Sequence, residues 1–531
     1  MKKQSTGKGF AYLSIAELLV KIMSVVYVPV LIRILGGVGH GIYVVSYDAF
    51  TLIYVLTNEG IQRGIAKLIS ELHAKDNPRD ALRAFRLSRS ILIVGGLFAS
   101  LLLYAMAPYI ANAADTADAT LSIRALAPTV LITAILSAYR GYFLGRSFMS
   151  ANAISKVIEQ FVNVVVSLGA AYFLMKIDTV YGVAGGTLGT SVGALVAVGL
   201  LIYEFRKSRL HKVRRKDQDM ETYRYTNKEL VKILFSYSFP ITVSAGMIHL
   251  GGFIDMFVVN NRLRDAGLVY AAAKTAVSEL ARFKALIFVP NTIVVALAAV
   301  LLPGISAANV LGDDKEVKRK IRYAVRMVFL VTIPSVVGLT ILAKPIYDVL
   351  RYGGGVDLLR YGSITIIFLG FVQIQNVIFQ GLGKFYWGTI TLMVGILLRL
   401  LINYVLVGMP EINIMGAVIS NFVNYFVPFT LNHYLITKVL HYEVKLFKNA
   451  IGPIMASLFM GIVIFFLDKV FVLIGAGWLI NSLLTFVNIG IGGLVYVVGL
   501  LYTGGITKDD LNGISPRLYR KVPTFLRKRM K

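Results

Sequence analysis

Apolar runs of about twenty residues, the length that crosses a bilayer as a helix, recur along the whole chain, separated by short polar joints. Inside hydrocarbon a backbone must satisfy its own N–H and C=O groups, so the chain is constrained to packed transmembrane helices. Composition agrees: 56% of the 531 residues are hydrophobic and only 16% are charged, with a mean hydropathy of +0.71. A soluble domain carries about a quarter charged residues. The first run begins near Phe10, keeps Glu17 and Lys21 in its interior and has no small-residue cleavage site, which predicts a retained helix and not a signal peptide.

The pattern predicts an all-α polytopic membrane protein with fourteen spans: 10–35, 41–62, 90–108, 121–143, 152–175, 182–203, 233–259, 284–305, 325–343, 361–382, 387–408, 414–436, 449–467 and 480–502. An even number puts both termini on one side. With that side cytoplasmic, the inner stretches hold thirty-eight Lys and Arg and the outer ones seven, which by the positive-inside rule places both termini in the cytoplasm. The net charge of +27 is thus mostly topology, and no nucleic-acid partner is expected. The linker RKSRLHKVRRK (206–216) and the tail RLYRKVPTFLRKRMK (517–531) suit anionic head groups of membrane lipids.

A weak internal repeat divides the first twelve spans six and six. YFLGRSFMSANAISKVIEQFVNVVV (142–166) echoes FQGLGKFYWGTITLMVGILLRLLINYVL (379–406), and VYGVAGGTLGTS (180–191) echoes NIMGAVISN (413–421), with Gly182 opposite Gly416. The copies are six spans apart and point the same way, so two parallel lobes related by a pseudo-two-fold axis along the membrane normal are expected, an architecture suited to alternating access. The predicted layout is an N-terminal lobe over 1–205, a basic cytoplasmic linker over 206–229 and a C-terminal lobe over 230–440. An extra helix pair over 441–503 and a basic tail over 504–531 follow. The glycine-rich LIRILGGVGHGIY (31–43) falls between spans 1 and 2. It lacks the preceding strand of a nucleotide loop and predicts a tight reversal where φ > 0 is needed.

Ten cations remain within or at the edges of spans, each costing at least ~2.5–3.5 kcal/mol at mid-bilayer unless it meets water or a partner. Arg33, Arg63, Lys67, Arg124 and Lys274 lie near enough to an interface to snorkel. Glu17 and Lys21, and Lys156 and Glu159, have spacings that allow pairing within one helix. Arg399 has no acid at i±3 or i±4. Polar stripes accompany the charges: Lys156, Glu159, Gln160 and Asn163 on span 5; Gln373, Asn376 and Gln380 on span 10; Asp48, Thr51, Asn58 and Glu59 on span 2. Asp255 is a further intramembrane acid. Stripes in both halves and an excess of cations predict a hydrated cavity that prefers an anionic substrate. Pro29 and Pro240 sit in the first span of each half, where bending is a candidate gating motion.

Four stretches carry a family resemblance. IRILGG (32–37), NEGIQ (58–62), GGFIDMFVV (251–259) and ALAAVLLPGIS (296–306) resemble motifs of the multidrug/oligosaccharidyl-lipid/polysaccharide exporter superfamily. More narrowly they resemble its bacterial lipid II flippase and stage V sporulation protein B branches. The resemblance implies a fourteen-span flippase in the bacterial cytoplasmic membrane, active in cell-wall or polysaccharide biosynthesis. It would move a polyprenyl-diphosphate-linked saccharide, with the peptidoglycan precursor lipid II as the expected substrate. It also implies diphosphate-binding roles for Lys21 and Lys284, where the flippases place Arg; a further family Arg on span 1 falls at Tyr27. With these go Arg282 and Arg399 as cavity cations, and Glu17, Asp48, Glu59, Lys156, Glu159, Asn163, Asp255, Gln373 and Asn376 as polar or coupling groups.

Other classes find little support. The chain has no cysteine and six scattered histidines without metal spacing, and neither a Walker sequence nor a supported Ser/His/Asp arrangement is present. A membrane glycosyltransferase would need acid/base or metal groups near an outer loop; the longest such loop, 344–360, offers Asp348 and Asp357 without metal spacing. No cofactor is expected, the driving force being a coupling ion or the membrane potential, and the expected state is a monomer. An exporter of another lipid-linked glycan differs only in the sugar, and a cation-coupled drug antiporter is disfavoured by the cationic interior.

Overall fold

A chain that must bond to its own backbone in hydrocarbon has helices as its simplest solution, and the computed structural model is built of them. It describes residues 6–208, 223–441, 446–474 and 477–505; the side chains of residues 6–11, 14, 59, 248, 299, 447 and 448 are also outside the description. Most of the basic linker, the tail and the Glu59 side chain therefore lie outside the described residues. The helices are α1 (Thr6–Ala74), α2 (Pro78–Ala113), α3 (Ala119–Gly145), α4 (Met149–Leu174), α5 (Thr179–Lys207), α6 (Asn227–Asp265), α7 (Tyr270–Val310) and α8 (Asp314–Ile341). The short α9 (Ala343–Leu350) and α10 (Val356–Gly362) follow, then α11 (Thr365–Gly381), α12 (Phe385–Ile402), α13 (Met415–Leu440), α14 (Leu446–Ile474) and α15 (Gly477–Thr503). A π-helical turn, Asn403–Val407, extends α12.

Eleven of these helices are long and apolar enough to cross a membrane, or twelve when α10 and α11, bent 55° to each other, form one span. The sequence count is higher for two reasons. The chain passes between the first two expected spans without a loop, so α1 is one continuous run, interrupted only at Gly36 (φ 69°, ψ −178°). The helix α13 carries Asn421, Asn424, Asn432 and His433, which lower its hydropathy.

The chain groups into two units, Met1–Ser278 and Glu279–Lys531. In the first, α6 packs along α1, and α4 lies against α5. Its apolar interior has two centres. One is an aromatic cluster of Phe85, Tyr139, Tyr142 and Phe205; the other surrounds Tyr27, Leu31, Val45 and Leu126. In the second unit Phe329, Phe371 and Phe429 stack among α8, α11 and α13. The hairpin α14–α15 is tied to α8, where Tyr496 OH donates to the Leu330 carbonyl at 2.9 Å. Large apolar side chains such as Phe98, Val300 and Leu494 point outward, as lipid-facing surfaces require.

Gly36 occupies a backbone region open to glycine alone, and this single residue makes the break in α1. Five residues on, Gly41 meets the start of α7 so closely that a Cβ would collide with the Lys274 carbonyl. The glycine-rich stretch thus serves a break in α1, with the positive φ expected of it, and a close helix approach.

Candidate functional site

The polar stripe on α4 finds its partners on three other helices of the first unit. The Lys156 ammonium pairs with the Glu17 carboxylate of α1. The Glu159 carboxylate accepts from the Arg140 guanidinium of α3 at 2.6 Å. Arg140 is buried, and its guanidinium also donates to Ser155 Oγ at 3.2–3.3 Å. Asn152 Nδ2 donates to the Arg140 carbonyl at 3.1 Å, which holds α4 against α3. One turn along, Gln160 Nε2 donates to Ser24 Oγ at 3.3 Å, and Asn163 Oδ1 accepts from Ser167 Oγ at 3.0 Å and Thr190 Oγ1 at 3.5 Å. Tyr27 and Tyr43 hydroxyls meet at 3.1 Å, and Tyr47 reaches Thr190.

These contacts correct two expected pairings. Glu17 joins Lys156 and not Lys21, and Lys156 does not pair with Glu159. Partners on a facing helix win because the pairs bridge two helices and neutralise each other's charge across the join. The consequence falls on Lys21: it is exposed, and among the described residues it has neither a hydrogen bond nor an ion pair. The first unit thus balances Lys156 and Glu159 internally and leaves the Lys21 charge available.

Arg140 is a buried cation that the polar stripes did not include. Helix α3 continues to Gly145 and carries it inside; the small residues around it, Ser137, Ala138 and Gly141, are the sequence signal of a tightly packed segment. Lys274 is a second correction. It does not snorkel: its side chain is fully buried, and Nζ donates to Thr116 Oγ1 at 2.6 Å and Asn260 Oδ1 at 2.7 Å. Two strong acceptors at hand replace the water it would otherwise have to reach. Beside it Tyr270 OH donates to Asp118 at 2.8 Å and Arg264 pairs with Asp115 at 3.1 Å.

Asp48 lies where α1 meets α6: a Cβ on Gly252 would stand 3.3 Å from its Oδ1. Asp255, one turn further along α6, is buried. Both make contacts within the described chain.

In the second unit Arg282 is buried on α7 and donates to the Tyr352 carbonyl, with its guanidinium 5.7 Å from the centre of the Tyr352 ring. It fastens the segment between α9 and α10. Lys284, two residues on, is half-buried. Arg399 is buried on α12, on a stripe with Thr391, Gly395 and Asn403 that faces α13. Thr391 Oγ1 donates to Asn432 Oδ1 at 2.6 Å, Ser420 Oγ donates to Asn403 Oδ1 at 2.5 Å, and a Cβ on Gly395 would lie 2.6 Å from the Asn424 carbonyl oxygen. The π-helical turn begins four residues after Arg399, and such turns are frequent at functional sites. On α11 Gln373 is half-buried, and Asn376 Oδ1 is buried without a hydrogen-bond partner among the described residues, facing Gly388 of α12. The neighbouring Gln375, which the stripe did not include, donates to the Phe429 carbonyl at 3.1 Å.

The cations expected to meet an anionic ligand lie in each unit as follows: in the first, Lys21 is exposed on α1; in the second, Lys284 is half-buried on α7 and Arg399 is buried on α12. An ammonium serves an oxyanion as a point charge, and a guanidinium adds a planar fork.

Known proteins share this fold. Residues 6–309, more than half of the chain, match the family model described as polysaccharide biosynthesis protein. Lipid II flippase MurJ of Bacillus subtilis (strain 168) is 24% identical over 546 residues, 98% of this chain and 98% of that one. Stage V sporulation protein B of the same organism is 27% identical over 456 residues, 85% of this chain and 87% of that one. A solved structure of lipid II flippase MurJ in an inward closed conformation superposes with a TM-score of 0.69 at 16% identity, over 92% of this chain and 97% of that one, which shows a common fold. The chain belongs to the polysaccharide biosynthesis protein family, on the lipid II flippase-like branch of the multidrug/oligosaccharidyl-lipid/polysaccharide exporter superfamily.

Proposed function

We propose that this protein is a flippase, not an enzyme: it carries a polyprenyl-diphosphate-linked saccharide, with lipid II as the substrate, from the inner to the outer leaflet by alternating access. The observation that carries the reading is the charge balance of the first unit, where Glu17 and Glu159 are taken by Lys156 and Arg140 while Lys21 keeps its charge. A diphosphate needs positive charge of this kind, and Lys21 is its proposed ligand, with Lys284 and Arg399 assigned the same role from the sequence. Similarity along nearly the full length of a protein named as a lipid II flippase supports the same conclusion.

The reading includes fourteen spans in two six-helix lobes with an added helix pair. Its support is that α1 breaks at Gly36 into two stretches each long enough to span, that α10 and α11 join as one, and that α13 has 26 residues. Gly182 at the start of α5 lies against Met175, and Gly416 at the start of α13 lies against Leu406, the same device at the positions the repeat pairs. Both termini are cytoplasmic in this reading, the protein acts as a monomer, and its energy comes from an ion gradient or the membrane potential. The potential supplies ~2.3 kcal/mol per charge moved through 100 mV.

The test is binding to the purified protein of a short-chain polyprenyl diphosphate against the matching polyprenyl alcohol. The diphosphate should bind at least tenfold tighter, a preference of ~1.4 kcal/mol or more. A Lys21→Ala/Lys284→Ala/Arg399→Ala variant should lose that preference, and an unchanged preference in a folded triple variant rules out these ligands.

A further inference from the structure

A pocket of about 380 Å³ opens in the second unit where α14 ends and α15 begins. The short helix α9 forms its third side. Trp478, near the start of α15, fixes α9 there: its Nε1 donates to the carbonyls of Asp348 and Val349, both at 3.2 Å, and the Arg351 guanidinium lies 4.0 Å from the ring centre. An indole flanked by cations at the ends of apolar helices marks the membrane–water boundary. The pocket is therefore at head-group depth.

Its lining has three chemistries. Val349, Phe471 and Leu484 supply an apolar floor, and Asn481 and Thr485 supply neutral hydrogen-bonding groups. Lys344 and Asp468 supply opposite charges that do not pair with each other. Lys344 has only a loose pair with Asp348 at 3.4 Å, both side chains mostly exposed, of a kind that contributes little. Asp468 is half-buried and has no hydrogen bond or ion pair among the described residues. Lys469 and Lys344 act on it from beyond ion-pair distance, so its oxygens are left for a donor from the occupant.

The pocket thus asks for a molecule with an anion and a cation a few atoms apart and an apolar body. That body has a surface to lie on, since Val472, Leu473, Leu479 and Leu483 project from the hairpin into lipid. We propose that the pocket is a head-group site for an aminophospholipid, with the phosphate on Lys344 and the primary ammonium on Asp468. Asn481 and Thr485 are placed to bond the glycerol and ester oxygens. A purely anionic head group would face Asp468 and Asp348 without compensation, and a quaternary ammonium has no N–H to donate. In the proposed topology this lipid sits in the outer leaflet. The site shares no residue with the proposed diphosphate ligands and stands without that reading.

The experiment is native mass spectrometry of the full-length protein equilibrated with mixed micelles of dioleoylphosphatidylethanolamine, dioleoylphosphatidylglycerol or dioleoylphosphatidylcholine. One ethanolamine lipid should stay bound in preference to the other two. Asp468→Asn and Lys344→Gln should each lower its retention about tenfold, while Lys176→Gln, at an exposed position of the first unit, should leave it unchanged. Equal retention of the three lipids, or undiminished ethanolamine lipid on an Asp468→Asn/Lys344→Gln protein, overturns the assignment. A loss with Lys176→Gln as large as with Lys344→Gln does so as well, because it would reduce the effect to general surface charge.

Discussion

An ionised carboxylate inside a membrane protein is kept there by its partner, and Glu159 has Arg140 at 2.6 Å. Removing one member of a buried pair leaves the other uncompensated, at a cost of about 3–5 kcal/mol. Glu159 keeps some solvent access, so Arg140→Met is expected at the low end, ~3 kcal/mol, seen as a lower midpoint of thermal unfolding in detergent. Arg140→Met/Glu159→Met should recover most of it; a double variant no more stable than the single one would show that the pair is not the source. At this scale the α4 stripe was legible, because Lys156, Glu159, Gln160 and Asn163 share a face by spacing alone. Their partners were not. Glu17 and Arg140 are brought to α4 by helix packing, which no local spacing encodes. Lys274 was misplaced for the same reason: Thr116 and Asn260, distant in sequence, make its burial tolerable.

Helices were easier to read than contacts, since the bilayer demands apolar length and the sequence displays it directly. The ends were less clear. Helix α1 runs through Pro29 and breaks at Gly36, within the glycine-rich stretch where a positive φ was expected but no continuous helix. Proline leaves helical φ accessible to itself, whereas the conformation at Gly36 is one that side chains exclude. The two glycines should therefore fail differently. Gly36→Ala meets no neighbour, so its cost is purely conformational, about 1–3 kcal/mol. Gly41→Ala drives a methyl group into the Lys274 carbonyl and should cost about 1–3 kcal/mol through overpacking. Thermal unfolding reads both. Only Gly41→Ala should also raise amide exchange around Lys274 and Ser278, since it forces α1 away from α7; equal exchange in the two variants would contradict the close-approach role. The π-helical turn after Arg399 had no sequence sign, because it depends on how α12 meets α13.

For the whole molecule the decisive sequence quantity is the asymmetry of Lys and Arg between alternate joints, which sets orientation. The absence of cysteine makes it directly testable. A cysteine at Asp76, in the α1–α2 joint, should react with a membrane-impermeant maleimide only after the cells are opened. One at Ala117, in the α2–α3 joint, should react in intact cells. The reverse pattern would invert the protein and with it the direction of transport. Fold and family were legible because many apolar runs and a few motifs act together over the full length. The substrate's sugar was not, since no residue identified in the sequence is tied to it. The central claim is that this chain flips lipid II, and the most direct measurement is the amount of lipid II exposed on the outer leaflet of cells depleted of their own flippase. Expression of this protein should restore exposure and growth. Continued accumulation of lipid II on the inner leaflet, with the protein present at normal level in the membrane, would contradict the account.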